Sequence, residues 1–289
     1  MTKQDYFNKL SRIFEKGSFE DFCELSKQKP NFIPKKLYKY SWLSNYTIEN
    51  LENRQMYLSI PDEFNDPFDT FEIGTSMKEQ MPKGLEEMFG FSESAIVNSK
   101  LKEKLPDIIH YGYNSENFGE ILGLRNGIGV CCFTENSPDN IIMWSHYANQ
   151  HRGICLEYDF SQREDIFQRL HPILYRNHYI DMELSSHSRY SRDGFMFAMI
   201  QTHLTKSKEW EYEMEWRFLE HIQEEGRFAD TVVHPTHIYL GLNSNNLPEE
   251  EQQVYISRLK EFSKDNDIPV SLMERCKNVY KLYPILTTN

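Results

Sequence analysis

Glu209-Trp210-Glu211-Tyr212-Glu213-Met214-Glu215-Trp216-Arg217-Phe218 alternates charged and apolar side chains without a break. Period two is the signature of a strand. It predicts Trp210, Tyr212, Met214, Trp216 and Phe218 facing inward, with Glu213, Glu215 and Arg217 sharing the opposite face. Carboxylates two residues apart on a strand project into one space, about 7 Å from each other. Such a pair can hold a sugar hydroxyl, a metal ion or a proton, and an arginine beside it can keep it ionised or grip a phosphate. Without chemistry, the same pattern is a solvated strand face with a surface ion pair.

Three further groups could serve such a site. In Phe64-Asn65-Asp66-Pro67-Phe68-Asp69, Asn and Asp bond their own backbone and Pro fixes the turn. The segment reads as a rigid loop that shapes one wall of a pocket. Met143-Trp144-Ser145-His146-Tyr147 places aromatics beside His146, which is either structural or a general acid/base near neutral pH. Lys35, Lys36 and Lys39 form one basic cluster, and Lys206 and Lys208 another. Each is either plain surface or the cationic patch that a diphosphate needs.

Several classes drop out. His146 and His151 lack H-E-x-x-H spacing, and Gly127-Ile128-Gly129 lacks the third glycine of a dinucleotide fingerprint. Neither a Walker motif nor a G-x-S-x-G elbow occurs. The five cysteines include no C-x-x-C pair, so neither a zinc site nor a redox motif is supported, and buried free thiols in a reducing compartment are expected. The net charge of −12 argues against indiscriminate nucleic-acid binding, which rests on many Lys and Arg contacts to phosphate. No apolar run approaches a membrane span, and Met1 to Lys16 reads as an amphipathic helix, not a signal peptide. A cytoplasmic protein without membrane contact is expected.

The elements that must position these groups follow from pattern. Tyr6, Leu10 and Phe14 fall on one helical face, and Ser18 caps a second short helix. Together they make a helical annex over residues 1–30. Strands are predicted at Leu37–Tyr40, Met56–Ile60, Gly129–Thr134, Gly153–Tyr158, Trp210–Phe218, His237–Leu240, Pro269–Met273 and Val279–Leu282. Helices are predicted near Thr47–Asn53, Pro138–Asn149, Arg163–Leu170, Gly194–Lys206 and from Pro248 onward. A charged, weakly helical stretch at about 76–118 reads as an insertion over the core. Strands and helices interleave irregularly, which favours a single α+β domain over residues 31–289 rather than a doubly wound sheet.

Taken in order, Leu37-Tyr38-Lys39-Tyr40, Phe64 to Asp69, Cys132-Phe133-Thr134, Met143 to Ala148 with Gly153, and Trp210 to Arg217 resemble the bacterial family called domain of unknown function 2971. The likeness runs from about Leu37 to Leu242. The order is also similar, more remotely, to ADP-ribosyltransferases. That likeness implies a central mixed or antiparallel split sheet and NAD as substrate. It maps Lys39 or Tyr40 to the position that grips the NAD ribose or phosphate, Ser59 to the one that supports ribose and nicotinamide, and Glu213-Met214-Glu215 to the carboxylate strand. Lys39 departs from the Arg or His of that pattern, supplying charge without the planar fork.

The resemblance implies a mechanism. Glu215 would hold the ribose 2′-hydroxyl as an oxocarbenium-like transition state forms, and Glu213 would orient or deprotonate the acceptor. Lys39 would hold the diphosphate, with Arg217 nearby, and Tyr40, Trp144 or Tyr147 would stack on nicotinamide beside His146. Glu215→Gln is expected to keep the fold and abolish NAD turnover. Such families often sit in bacterial defence or toxin–antitoxin loci, which implies a macromolecular acceptor, RNA, DNA or protein, and a neutralising partner. Two other readings stand beside this one. One is a metal-dependent nuclease with Asp66, Asp69, Glu213, Glu215 and His146 around Mg²⁺. The other is a non-catalytic ligand-sensing module.

Overall fold

The computed structural model describes residues 1–70, 127–161, 163–180, 192–222, 227–230, 233–246 and 249–287. The predicted insertion at about 76–118 lies outside them. Thr2 caps α1 (Lys3–Lys16) and Ser18 caps α2 (Phe19–Ser26), each in a reciprocal capping box with the Asp three residues on. Tyr6, Leu10 and Phe14 recur at every fourth position of α1 and are buried. With Phe22 and Leu25 of α2 they pack on Ile173, Leu174, Phe197 and Leu204, so the N-terminal helices share a core with the middle of the chain.

The other helices are α3 (Asn45–Glu52), α4 (Ile141–Tyr147), α5 (Glu164–Arg169), α6 (Arg192–His203) and α7 (Glu249–Asp265). The principal strands are β1 (Leu37–Ser41), β3 (Ile128–Thr134), β4 (Ile154–Tyr158), β5 (Leu170–Pro172), β8 (Glu215–His221), β10 (His237–Leu240), β11 (Val270–Arg275) and β12 (Leu282–Leu286). They form one mixed sheet in the order β12-β11-β10-β4-β1-β3-β8-β5, parallel only at β10–β11. Two short pairs flank it: β2 (Gln55–Tyr57) with β9 (Phe228–Asp230), and β6 (Leu174–Arg176) with β7 (Thr205–Ser207). The class is α+β, as the pattern predicts. One face of the sheet buries Leu156, Trp216 and Phe218 against Ile48 and Leu51 of α3 and Leu259 and Phe262 of α7. The other face places Tyr38, Tyr40 and Tyr239 against Met143 and Trp144 of α4. No helix among the described residues is long and apolar enough to cross a membrane.

The sheet is not equally tight throughout. β3 pairs with β8 over seven register positions and β1 with β4 over five, but β1 meets β3 only at Tyr38↔Thr134. Strands held at a single point diverge on either side of it. Part of the exposed edge of β3 is met instead by Ser59, which exchanges backbone hydrogen bonds of 2.9 and 2.8 Å with Val130.

The helix predicted to reach Lys206 ends at His203, with Lys206 on β7, and three predicted strands also differ from the structure. The ten-residue alternating strand is a strand only from Glu215. Lys208–Glu213 is a 3₁₀ segment, and Met214 adopts the left-handed conformation with φ 47°. The reason lies in residues 134–136: the Thr134 hydroxyl donates to the Glu213 carbonyl, and the Asn136 amide donates to the carbonyls of Tyr212 (2.6 Å) and Glu213 (3.0 Å). Side chains thus satisfy backbone groups that a neighbouring strand would otherwise have to meet. The inward assignment holds for Trp216 and Phe218 and fails for Met214, which is exposed, and for Trp210 and Tyr212, which are half-buried; Glu213, Glu215 and Arg217 are buried as well. The second strand stops at Tyr57, leaving Ser59 as an isolated bridge. The last strand begins at Leu282, because Val279 and Tyr280 stand out in solvent.

Candidate active site

The opening between β1 and β3 is a cavity of about 310 Å³. Its walls carry Lys39 and Tyr40 from β1, Ser59, Asn65 and Asp69 from the segment after β2, His146 and Tyr147 from α4, and Glu213, Glu215 and Arg217. Most of the residues that the sequence singled out therefore meet in one place, although they come from four separate segments.

The floor is a buried ionic cluster. Lys206, on β7, extends its ammonium to Glu213 Oε2 at 2.5 Å, Glu215 Oε2 at 3.1 Å and Asp69 Oδ2 at 3.5 Å. Arg217 binds Glu215 Oε1 through Nε at 2.7 Å and Asp69 Oδ2 through Nη2 at 2.5 Å, and its Nη1 donates to the His203 carbonyl at 2.8 Å. All five side chains are 6% exposed or less. Thr134 opposes Glu215 across the β3–β8 ladder, and Cys132 opposes Arg217. Asp69 Oδ1 is buried and meets no donor.

This arrangement separates the two glutamates. Burial alone would raise Glu215, but the Arg217 and Lys206 charges hold it well below the usual carboxylate range. Glu213 moves the other way: burial, reinforced by the Glu215 charge, raises it, against the opposing pull of Lys206 and of the Tyr147 hydroxyl that donates to Oε1. Burial works against the charge of Lys206, yet Glu215, Glu213 and Asp69 together hold it above the ordinary lysine value. One carboxylate is thus kept ionised while its neighbour is the easier one to protonate, which is how acid and base roles are divided within a carboxylate pair.

Backbone strain marks the two segments that deliver the carboxylates. Thr70, next to Asp69, and Met214, between the glutamates, both have positive φ. A β-branched residue there is an outlier that persists only where its surroundings over-determine it, and such residues gather at functional sites.

Not every predicted residue reaches the cavity. Trp144 is fully buried and its indole N–H donates to the Pro138 carbonyl at 2.7 Å. It supports Tyr40 edge-on at 5.2 Å and has no face to offer a ligand. Asp66 turns back on its own loop, accepting from the Phe68 N–H at 2.9 Å. That is the turn role predicted for it, and it separates Asp66 from the Glu pair and from the imagined Mg²⁺ cluster. Asp69, predicted as a loop residue or as one carboxylate of a Mg²⁺ cluster, does join the glutamates, but around Lys206 and Arg217. Lys36 pairs with Glu157 at 2.9 Å, so of the first basic group only Lys39 lines the cavity. Lys206, flagged only as part of a basic patch, is the hub. Tyr175, which accepts from the Glu215 N–H at 2.7 Å, carried no signal at all. Among the described residues no group of three or more His, Cys, Asp or Glu is arranged to hold a metal ion. The carboxylates that come closest already face an ammonium and a guanidinium.

Residues 143–218 match the family described as Protein of unknown function (DUF2971), which bears out the family resemblance over that stretch. The matched stretch contains Tyr147, Lys206, Glu213, Glu215 and Arg217, whereas Lys39, Ser59 and Asp69 lie before it. No curated relative and no solved structure matches the chain.

Proposed function

We propose that the cavity binds the nicotinamide–ribose end of NAD and that the chain transfers ADP-ribose to a macromolecular acceptor, a nucleic acid or a protein. One observation carries this reading: two buried glutamates with opposite protonation preference share one ammonium in the wall of a cavity that also presents Lys39 and Ser59. A buried ion cluster is poor value for stability, since well-packed apolar residues of similar volume often do as well or better by about 1–4 kcal/mol. Perturbed carboxylates in a cleft therefore point to chemistry.

In this reading the bond between ribose C1′ and the nicotinamide nitrogen breaks, and its electron pair leaves on neutral nicotinamide. Ionised Glu215 stabilises the positive charge that builds on the ribose, with the 2′-hydroxyl donating to it. The acceptor oxygen or nitrogen bonds to C1′, and Glu213 takes the acceptor's proton. Lys39 faces the phosphates, and Ser59 supports the ribose.

The test is nicotinamide release from NAD, followed by chromatography with RNA, DNA or cell protein present. Glu213→Gln keeps the shape of the side chain and is expected to cut the rate on the order of 100–1,000-fold. Glu215→Gln is the poorer probe, because it leaves Arg217 and Lys206 short of a counter-charge and costs stability as well as rate. Full nicotinamide release by the Glu213 variant, or none by the parent chain with every acceptor tried, removes the proposal.

A further inference from the structure

A second cavity, of about 610 Å³, meets the first at Lys206. Among the described residues its aromatic lining is Phe68, His178, Tyr179 and Trp210. Phe68 is 62% exposed, so one large ring of this wall stands in water instead of entering a core. Apolar area left in water costs about 25 cal/mol per Å², and neighbouring rings in a concave wall are a recurrent platform for flat ligands. The Lys206 ammonium lies 5.0 Å from the centre of the Trp210 ring, so the same lysine touches the carboxylate pair on one side and this aromatic wall on the other. The Thr205 hydroxyl, also in the wall, is buried and without a hydrogen-bond partner. A flat ring suits the aromatic lining, and a polar edge that reaches Thr205 would satisfy its hydroxyl.

We infer that this second cavity is a nucleobase subsite, in which a purine-sized heteroaromatic ring packs on Phe68 and Trp210 and its polar edge meets Thr205. Its place in a transfer reaction rests on the ADP-ribosyl reading, because the 310 Å³ cavity has room for only one end of a dinucleotide and the base must go elsewhere. The base has two sources with the same chemistry: the adenine of NAD itself, or a base of an acceptor nucleic acid. The arginine at the rim, Arg176, is tied to Glu15 at 2.7 Å, so stacking rather than charge dominates recognition.

Calorimetric titration of the whole chain with AMP, NAD, nicotinamide mononucleotide and a short single-stranded oligonucleotide separates these sources. Phe68 is exposed, so Phe68→Ala leaves folding intact; Trp210→Ala and Thr205→Val complete the set. If the base is the adenine of NAD, AMP and NAD binding weaken by roughly 10- to 100-fold in Phe68→Ala and Trp210→Ala, the range set by base–aromatic stacking, while nicotinamide mononucleotide binding does not change. If it is the acceptor's, oligonucleotide binding weakens and NAD binding holds. AMP binding that depends on Phe68, in a chain that releases no nicotinamide, keeps the subsite and discards the transfer reaction. Affinities for AMP, NAD and the oligonucleotide that stay within twofold of the parent in all three variants overturn the subsite.

Discussion

Lys206 and Lys29 are both long, flexible cations taken out of water, with 6% and 1% of their surface exposed. Lys206 faces three carboxylates. Lys29 faces the Gln168 carbonyl at 3.1 Å and Nδ1 of His171 at 3.1 Å, in a region where His171 stacks on Phe22 of α2. The physical outcomes are opposite. The carboxylates hold Lys206 above its usual value despite burial. Burial alone brings Lys29 down from the usual 10.5 to about 7. It also pushes His171 well below its ordinary range, with the Lys29 charge adding to the effect. Burial is thus common to the two sites and decides nothing by itself. The difference lies in whether the fold brought counter-charges along, and it did so only where the two cavities meet.

The largest expected effect tests that difference directly. Lys206→Met leaves Asp69, Glu213 and Glu215 buried with only Arg217 to balance them, and is expected to cost about 3–5 kcal/mol of stability together with the proposed NAD turnover. Lys29→Met removes an amine that has no counter-charge and fills the space with apolar atoms, so stability at pH 7 is expected to stay level or rise. Denaturant unfolding of both variants checks the pair. Equal losses would mean that counter-charge is not what distinguishes the two lysines.

A smaller effect appears with pH. The folded state holds the Lys29 proton less tightly than the unfolded chain does, so between about 7 and 10.5 the unfolded state carries more protons and stability climbs as pH rises. Below about 7 this contribution is gone. The slope from one such group is at most about 1.4 kcal/mol per pH unit. Lys206 has the reverse sign: its contribution is present below the unfolded value and is lost only as pH rises through its still higher folded value. Unfolding free energies between pH 7.5 and 9.5 are therefore expected to rise more steeply in the parent chain than in Lys29→Met. Parallel curves would show that Lys29 is not the titrating group.

The two lysines also mark what the sequence makes legible. α1 and α2 announce themselves through Ser18 and a four-residue apolar spacing, because caps and stripes are local physics. The glutamate pair is legible too, since its members are two residues apart. Which way the pair points is not, because alternation is the same whether the charged face is solvated or buried with partners. Those partners are far away in sequence: Asp69 lies 148 residues from Arg217, and no periodicity links them. Trp144 shows the converse error. It sits in a motif rich in pocket-forming types, but its indole N–H found a carbonyl and the ring went into the core. Lys29 gave no sign at all, because a lysine after a short helix reads as surface.

The smallest effect concerns the hydrogen bond that holds Glu213 back from rising further. The Tyr147 hydroxyl donates to Glu213 and favours its ionised form, while burial and Glu215 oppose it and Lys206 assists. Asp69 and Arg217 complete the charges around the pair and are untouched by a change at Tyr147. Tyr147→Phe removes one donor without moving a charge, so Glu213 holds its proton to higher pH. If Glu213 accepts the acceptor's proton, the rising acid limb of the rate against pH moves upward while the plateau changes little. A merely structural tyrosine would lower the rate equally at every pH and leave the limb where it was. The same variant then separates a base tuned by its neighbours from a glutamate whose only task is to balance Lys206.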